Sequence, residues 1–125
     1  MQAYLIAPPT KTTEAINYSG DWQDIKKLIG CEYLDVVTTP EGLSIYVDDE
    51  GLYKVYVDDK GLFKHGQAFF AWKTLPVPLA GKALVLGPVD DEGETQECPW
   101  SAVEVACHLV FAPLPVLVAY CEDAA

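Results

Sequence analysis

The stretch IYVDDEGLYKVYVDDKGLFK, residues 45–64, is one ten-residue phrase written twice. Each copy runs from β-branched and aromatic residues into Asp-Asp-x-Gly and out again. That punctuation cuts the chain into short extended pieces and leaves no room for a helix. Asp at the first and Gly at the fourth position suit a type I turn, and a left-handed Gly closes a three-residue hairpin loop. Residues 43–47, 52–57 and 62–64 are therefore expected as successive antiparallel strands of a meander, with Gly51 and Gly61 in left-handed turn positions. A third echo, VDDEGE, follows at residues 89–94.

The remaining segments fit around such a sheet. AYLIAP (residues 3–8) and TTEAINY (residues 12–18) read as two hairpin strands across a turn at residues 8–11. In GDWQDIKKLIG, Asp21 can cap a helix, Trp22, Ile25, Leu28 and Ile29 recur at helical spacing, and Gly30 stands at the C′ position. YLDVVTT follows as a strand, and Pro40-Glu41-Gly42 as a turn. GQAFFAWKTLPVPLAG is aromatic and broken by proline, so a loop or short turn is expected there. KALVLG, residues 82–87, is apolar on both faces and is expected at the centre of the sheet. Ser101 and Glu104 form a capping box, with Val103, Ala106, Cys107 and Val110 as the apolar stripe and Pro113 as the stop. PVLVAY is expected to add a strand or to dock as an extended tail. Together these make one α+β domain over residues 1–125, a mainly antiparallel sheet of five to seven strands with two short helices at about residues 21–29 and 102–111.

Charge narrows the function. With 19 acidic residues against 8 basic, the net charge is −11. Such a surface repels nucleic acid and anionic membranes and favours basic partners. The one basic pair, Lys26-Lys27, makes no stripe for nucleic-acid readout. The opening MQAYLIAPPTK lacks a basic n-region and a long apolar run, so no signal peptide is expected. LVFAPLPVLVAY is too short and too proline-broken to span a bilayer. The expected location is the cytoplasm, with Cys31, Cys98, Cys107 and Cys121 reduced.

Chemistry-bearing motifs are sparse. A calcium loop needs alternating oxygen ligands and a Glu at its twelfth position, whereas these carboxylates are contiguous and Lys60 replaces Glu50 in the second copy. Cys107 and His108 would point about 100° apart on a helix, and no C-x-x-C pair accompanies them. Nucleophile elbow, phosphate loop and dinucleotide fingerprint are all missing. No metal, cofactor or catalytic residue is expected, and a non-enzymatic binding protein is.

Three binding readings remain. In the first, Asp48, Asp49, Glu50, Asp58, Asp59, Asp90, Asp91, Glu92 and Glu94 form an acidic surface for a basic host protein, imitating a phosphate backbone. Adjacent turns of a meander lie at opposite ends of its sheet, so residues 48–51 and 58–61 should give two acidic spots rather than one. In the second, Tyr56, Phe69, Phe70 and Trp72 line a pocket that sequesters a nucleotide signal, against which the negative charge works. In the third, an exposed strand edge makes a homodimer.

The phrases MQAYLIAP, GDWQDIKKLIGCEYLDVV, IYVDDEGLYK, PLAGKALVLG and DDEGE, in that order, resemble a family of small proteins encoded by bacteriophages, other mobile elements and gut-metagenome contigs, a domain of unknown function. The resemblance covers about residues 1–97 and carries no established site residues. It implies a phage-like setting in the bacterial host. That setting, with the expected cytoplasmic location, the acidity and the missing catalytic motifs, leads to the expectation of a binding protein that modulates or inhibits a host protein, anti-defence included. The family phrase matching residues 45–64 normally occurs once; its doubling here should place one copy at an edge or in a protruding loop.

Overall fold

The computed structural model describes residues 1–48 and 68–124. The expected meander strands at residues 52–57 and 62–64, with Gly51 and Gly61, lie outside the described residues. Gln2–Ala7 (β1) and Thr12–Asn17 (β2) form the expected hairpin, pairing from Gln2 with Asn17 to Ala7 with Thr12. The turn between them is a 3-10 turn, Pro8–Thr10, followed by Lys11 at φ 54°.

Trp22–Ile29 is the helix α1. The Asp21 side chain accepts from the Gln23 amide at 3.0 Å, and Gly30, at φ 79°, donates its N–H to the Lys26 carbonyl at 2.7 Å. Asp24 in the first turn and Lys26 and Lys27 in the last complement the helix dipole. Ile25 and Ile29 are buried, whereas Trp22, expected on the apolar stripe, is 55% exposed with the Lys26 ammonium 4.6 Å over its ring.

Leu34–Thr38 (β3) and Ser44–Asp48 (β4) make a second hairpin. Thr39 closes it from inside: its N–H donates to the Leu43 carbonyl, and its hydroxyl accepts from the Leu43 amide. Ala83–Leu86 is β7, and the five strands are ordered β2-β1-β7-β4-β3, antiparallel throughout. The expected central strand is thus central. Ala3, Leu84 and Leu86 face α1, and Tyr4, Ile6, Ile45, Val47, Ala83 and Val85 face the other way.

That second face is covered by a segment expected as loop. Phe69–Trp72 is a strand, β5, buried along its length, flanked by Leu79–Ala80 (β6) and Leu109–Val110 (β8) in a three-stranded sheet. Phe70 and Trp72 pack on the large sheet, while Phe69 and Ala71 face outward. A strand covered on both sides shows no polar alternation, which is why its sequence does not announce it.

The C-terminal expectations need three corrections. The capping-box helix, α2, is Ala102–Cys107 rather than reaching residue 111, because Leu109 and Val110 leave it to pair with Trp72 and Ala71. Both halves of the box form, with Ser101 and Glu104 exchanging side-chain-to-backbone bonds at 3.2 and 3.3 Å. Its buried residue is Val105, and Val103 is exposed. The tail is neither strand nor extended chain: Leu114–Ala124 is a helix, α3, whose Leu117 and Cys121 cover Phe69, Ala71 and Ala80. Pro115 falls in its first turn, where the missing N–H costs nothing. No helix among the described residues is long and apolar enough to cross a membrane.

Gly87 ends β7 where the chain comes back against itself: its N–H donates to the Gln96 carbonyl at 2.8 Å, and a Cβ there would collide with the Glu97 carbonyl oxygen. Gly87→Ala should therefore destabilise the fold by about 1–3 kcal/mol, the usual cost of overpacking, as read by urea unfolding.

Candidate functional site

The acidic turn after β7 is the one copy of the repeated phrase that is described in full. Asp90 holds it: one carboxylate oxygen accepts from the amides of Glu92 and Glu94, both at 2.9 Å, and the other accepts from the Gln96 side-chain amide at 2.9 Å. Gly93 is left-handed at φ 84° and donates to the Asp90 carbonyl at 3.0 Å, while the Asp90 amide donates to the Glu94 carbonyl. Asp90 is thus a turn former, as its place before Asp-Glu-Gly suggests. Asp91, Glu92 and Glu94 stay exposed on a backbone that Asp90 has fixed.

The structure does not gather the described acids of the first reading into one patch. Asp48 ends β4 beyond the Val47–Ala83 pair, whereas residues 90–94 follow Leu86, which pairs with Ser44 at the other end of the same antiparallel ladder. Asp49, Glu50, Asp58 and Asp59 lie outside the described residues, as does Tyr56 of the second reading. Phe69, Phe70 and Trp72 are 8%, 0% and 0% exposed, packed between the two sheets and α3.

Trp72 instead anchors a polar and aromatic cluster that sequence reading passes over. Its indole N–H donates to Glu41 Oε1 at 3.1 Å, and the Thr74 hydroxyl donates to the same oxygen at 2.9 Å. Burial pushes the Glu41 carboxyl up, but the bonds from Thr74, Trp72, its own backbone and Thr39 outweigh it, and the pKa is lowered. On the other side, His108 stacks on Trp72 with centroids 5.1 Å apart and meets Trp100 at 4.6 Å. The Trp100 carbonyl accepts from the Tyr4 hydroxyl at 2.7 Å and from the Gln2 side chain at 3.0 Å. Burial pushes the Tyr4 phenol up, with the Cys98 thiol adding to it, so the phenol remains a donor. The cluster clamps the turn at Glu41 and the start of β8 onto the core. Only the spacing of Trp72 and Thr74, which puts both on one side of a strand's end, hints at it in sequence.

A second feature lies at the β2 edge. An open cleft of about 330 Å³ separates β2 from α1, lined by Ile16, Asn17, Tyr18, Ser19, Asp24, Lys27 and Leu28. The Ser19 hydroxyl donates to Asp24 Oδ2 at 2.5 Å, and Lys27 approaches Asp24 Oδ1 at 3.8 Å. Among the described residues no three His, Cys, Asp or Glu side chains come together as a metal-ligand set.

Comparison with known proteins finds a family match for the chain. The family described as "Domain of unknown function (DUF3846)" matches residues 1–105. No curated protein matches the chain, and no solved structure does.

Removing the Glu41 carboxylate leaves a fully buried indole N–H without its acceptor. Glu41→Ala should cost about 1–3 kcal/mol at neutral pH, the penalty for such an orphaned donor. Because the folded pKa is depressed, the carboxylate's contribution is fully present above the ordinary glutamate value and is lost as pH falls through the folded one. The gap in thermal midpoint between parent and variant should narrow across that acid range in a pH series of melts.

Proposed function

The chain belongs to the DUF3846 family, a domain of unknown function, and from its own surface we propose that it is an acidic, non-enzymatic binding protein that docks on a basic surface of a host protein. One observation carries this reading. Of the carboxylates whose side chains are described, other than Asp48, only Asp24 has an ion-pair partner, Lys27, and both of those side chains are solvent-exposed. A chain of net charge −11 that leaves most of these carboxylates without an ion pair is prepared for a cationic partner, and its field speeds encounter with one. The turn at residues 90–94 supports the same reading, because Asp90 fixes the backbone while Asp91, Glu92 and Glu94 remain available. A preformed display loses little entropy on binding.

The phage and mobile-element setting implied by the sequence resemblance gives the reading its biology: a small protein acting in the host cytoplasm to modulate or inhibit a host factor, defence proteins among them. Sequestration of a nucleotide signal is a weaker reading, since Phe69, Phe70 and Trp72 are occupied with core packing.

The test is a host protein captured on the chain, identified, and then titrated by calorimetry. Raising salt from about 50 mM to about 200 mM should weaken the complex steeply, because exposed charges are screened over that range. Replacing Asp91→Asn, Glu92→Gln and Glu94→Gln together should cost about tenfold in affinity without moving the thermal midpoint. Affinity that ignores both salt and the triple substitution would overturn the proposal.

A further inference from the structure

Among the described residues the five-stranded sheet ends in two edges, β3 and β2, and they are finished differently. At β3 the Thr39 N–H donates to the Leu43 carbonyl, which fixes the phase of the antiparallel ladder. Val37 and Asp35 then bond toward β4, and the Val36 peptide group faces outward. Its N–H is taken at 2.8 Å by the Asp35 carboxylate. An incoming strand would find that donor occupied and a charge at the rim, a common defence of sheet edges.

At β2 the phase is fixed by Met1 and Tyr18, which exchange bonds of 2.7 and 2.9 Å. Tyr18, Ile16, Glu14 and Thr12 therefore turn their peptide groups toward β1, and Asn17, Ala15 and Thr13 turn theirs outward. Among the described residues nothing takes those outward N–H and C=O groups. This edge is open.

What could occupy it follows from the side chains beside it. Ile16 and Glu14 pair with Ala3 and Leu5, so they share the α1 face of the sheet. Ile16 forms a wall of the 330 Å³ cleft with Tyr18 and Leu28. Glu14, two residues along the same face, is exposed and has no ion-pair partner among the described residues. Lys27, the one basic side chain lining the cleft, is engaged by Asp24. A strand laid along β2 presents its residues i and i+2 to this face. One meets apolar Ile16 and Leu28, and the next meets the Glu14 carboxylate.

We infer that β2 is a strand-addition site for an extended segment of a basic protein, with an apolar and a Lys or Arg side chain two positions apart. This rests on the binding-protein reading above and gives it a place and a mode. Main-chain bonds to Thr13, Ala15 and Asn17 supply affinity, and the cleft and Glu14 supply choice.

The probe is a blocked peptide, Val-Thr-Lys-Thr-Val-Thr-Lys-Thr, added to the isotopically labelled full chain, with amide exchange followed by NMR. At saturation the amides of Thr13, Ala15 and Asn17 should exchange about tenfold more slowly, with Val36 unchanged. The same peptide carrying Glu for Lys should leave all four unchanged. Ala15→Pro deletes an outward donor and no bond to β1, so protection at Thr13 and Asn17 should vanish. Glu14→Lys, which leaves the backbone alone, should discharge the basic peptide and admit the Glu one. Failure of the Lys peptide to slow those three amides overturns the inference. So does slowing that appears with rising protein concentration alone, which would mean that a second copy occupies the edge. Salt-sensitive peptide shifts confined to residues 90–94 would sink the β2 site while leaving the acidic-surface reading standing.

Discussion

Ala83, Leu84, Val85 and Leu86 are all fully buried, and the fold is organised around covering that one strand on both sides. Its neighbours β1 and β4 satisfy the backbone, which leaves two apolar faces to remove from water. Helix α1 takes one face with a short amphipathic stripe. The other needs more: Phe70 and Trp72 of β5 lie over it, and because β5 is itself apolar on both sides, α3 must cover β5 in turn. The layers follow from this sequence of obligations, each cover creating or ending the need for another.

This chain of cover explains what the sequence makes legible. The β1–β2 hairpin, α1 and β7 are written in local chemistry: turn residues, the Asp21 cap with Gly30, and an unbroken apolar run. The capping box at Ser101 and Glu104 is equally local, and it forms. Where α2 ends is decided elsewhere, by the pairing of Leu109 with Trp72, and nothing near residue 108 records that bond. FFAW lacks alternation for the reason given by its burial, and the prolines after it disguise a strand as a loop. The Pro-x-Pro opening of the tail suggests extended chain, yet proline is at home in a first helical turn, and α3 exploits that.

The functional surface divides in the same way. The turn role of Asp90 is readable from Asp-Asp-x-Gly alone, since an Asx-type turn needs only neighbours. The separation of Asp48 from residues 90–94 requires the β4–β7 register, which no local pattern specifies. The β2 edge is harder still. Thr13, Ala15 and Asn17 carry no distinctive chemistry, and what distinguishes them is a hydrogen-bond phase set by Met1 and Tyr18. A well-buried centre thus carries a rim on which Asp91, Glu92 and Glu94 have no ion pair among the described residues, with the Val36 donor of one sheet edge taken by Asp35 and no described strand paired with the other.

That uncompensated charge is the premise from which the functional account starts, and the free protein should feel it. Like charges on a folded surface repel, and salt relieves the repulsion. The most direct measurement is the thermal midpoint of the isolated chain as ionic strength rises from about 0.01 M to about 0.15 M, over which the screening length falls from about 30 Å to about 8 Å. A steady rise in midpoint is predicted. A midpoint that stays level or falls would mean that the carboxylates are already neutralised within the fold, and the acidic surface would have nothing left to offer a partner.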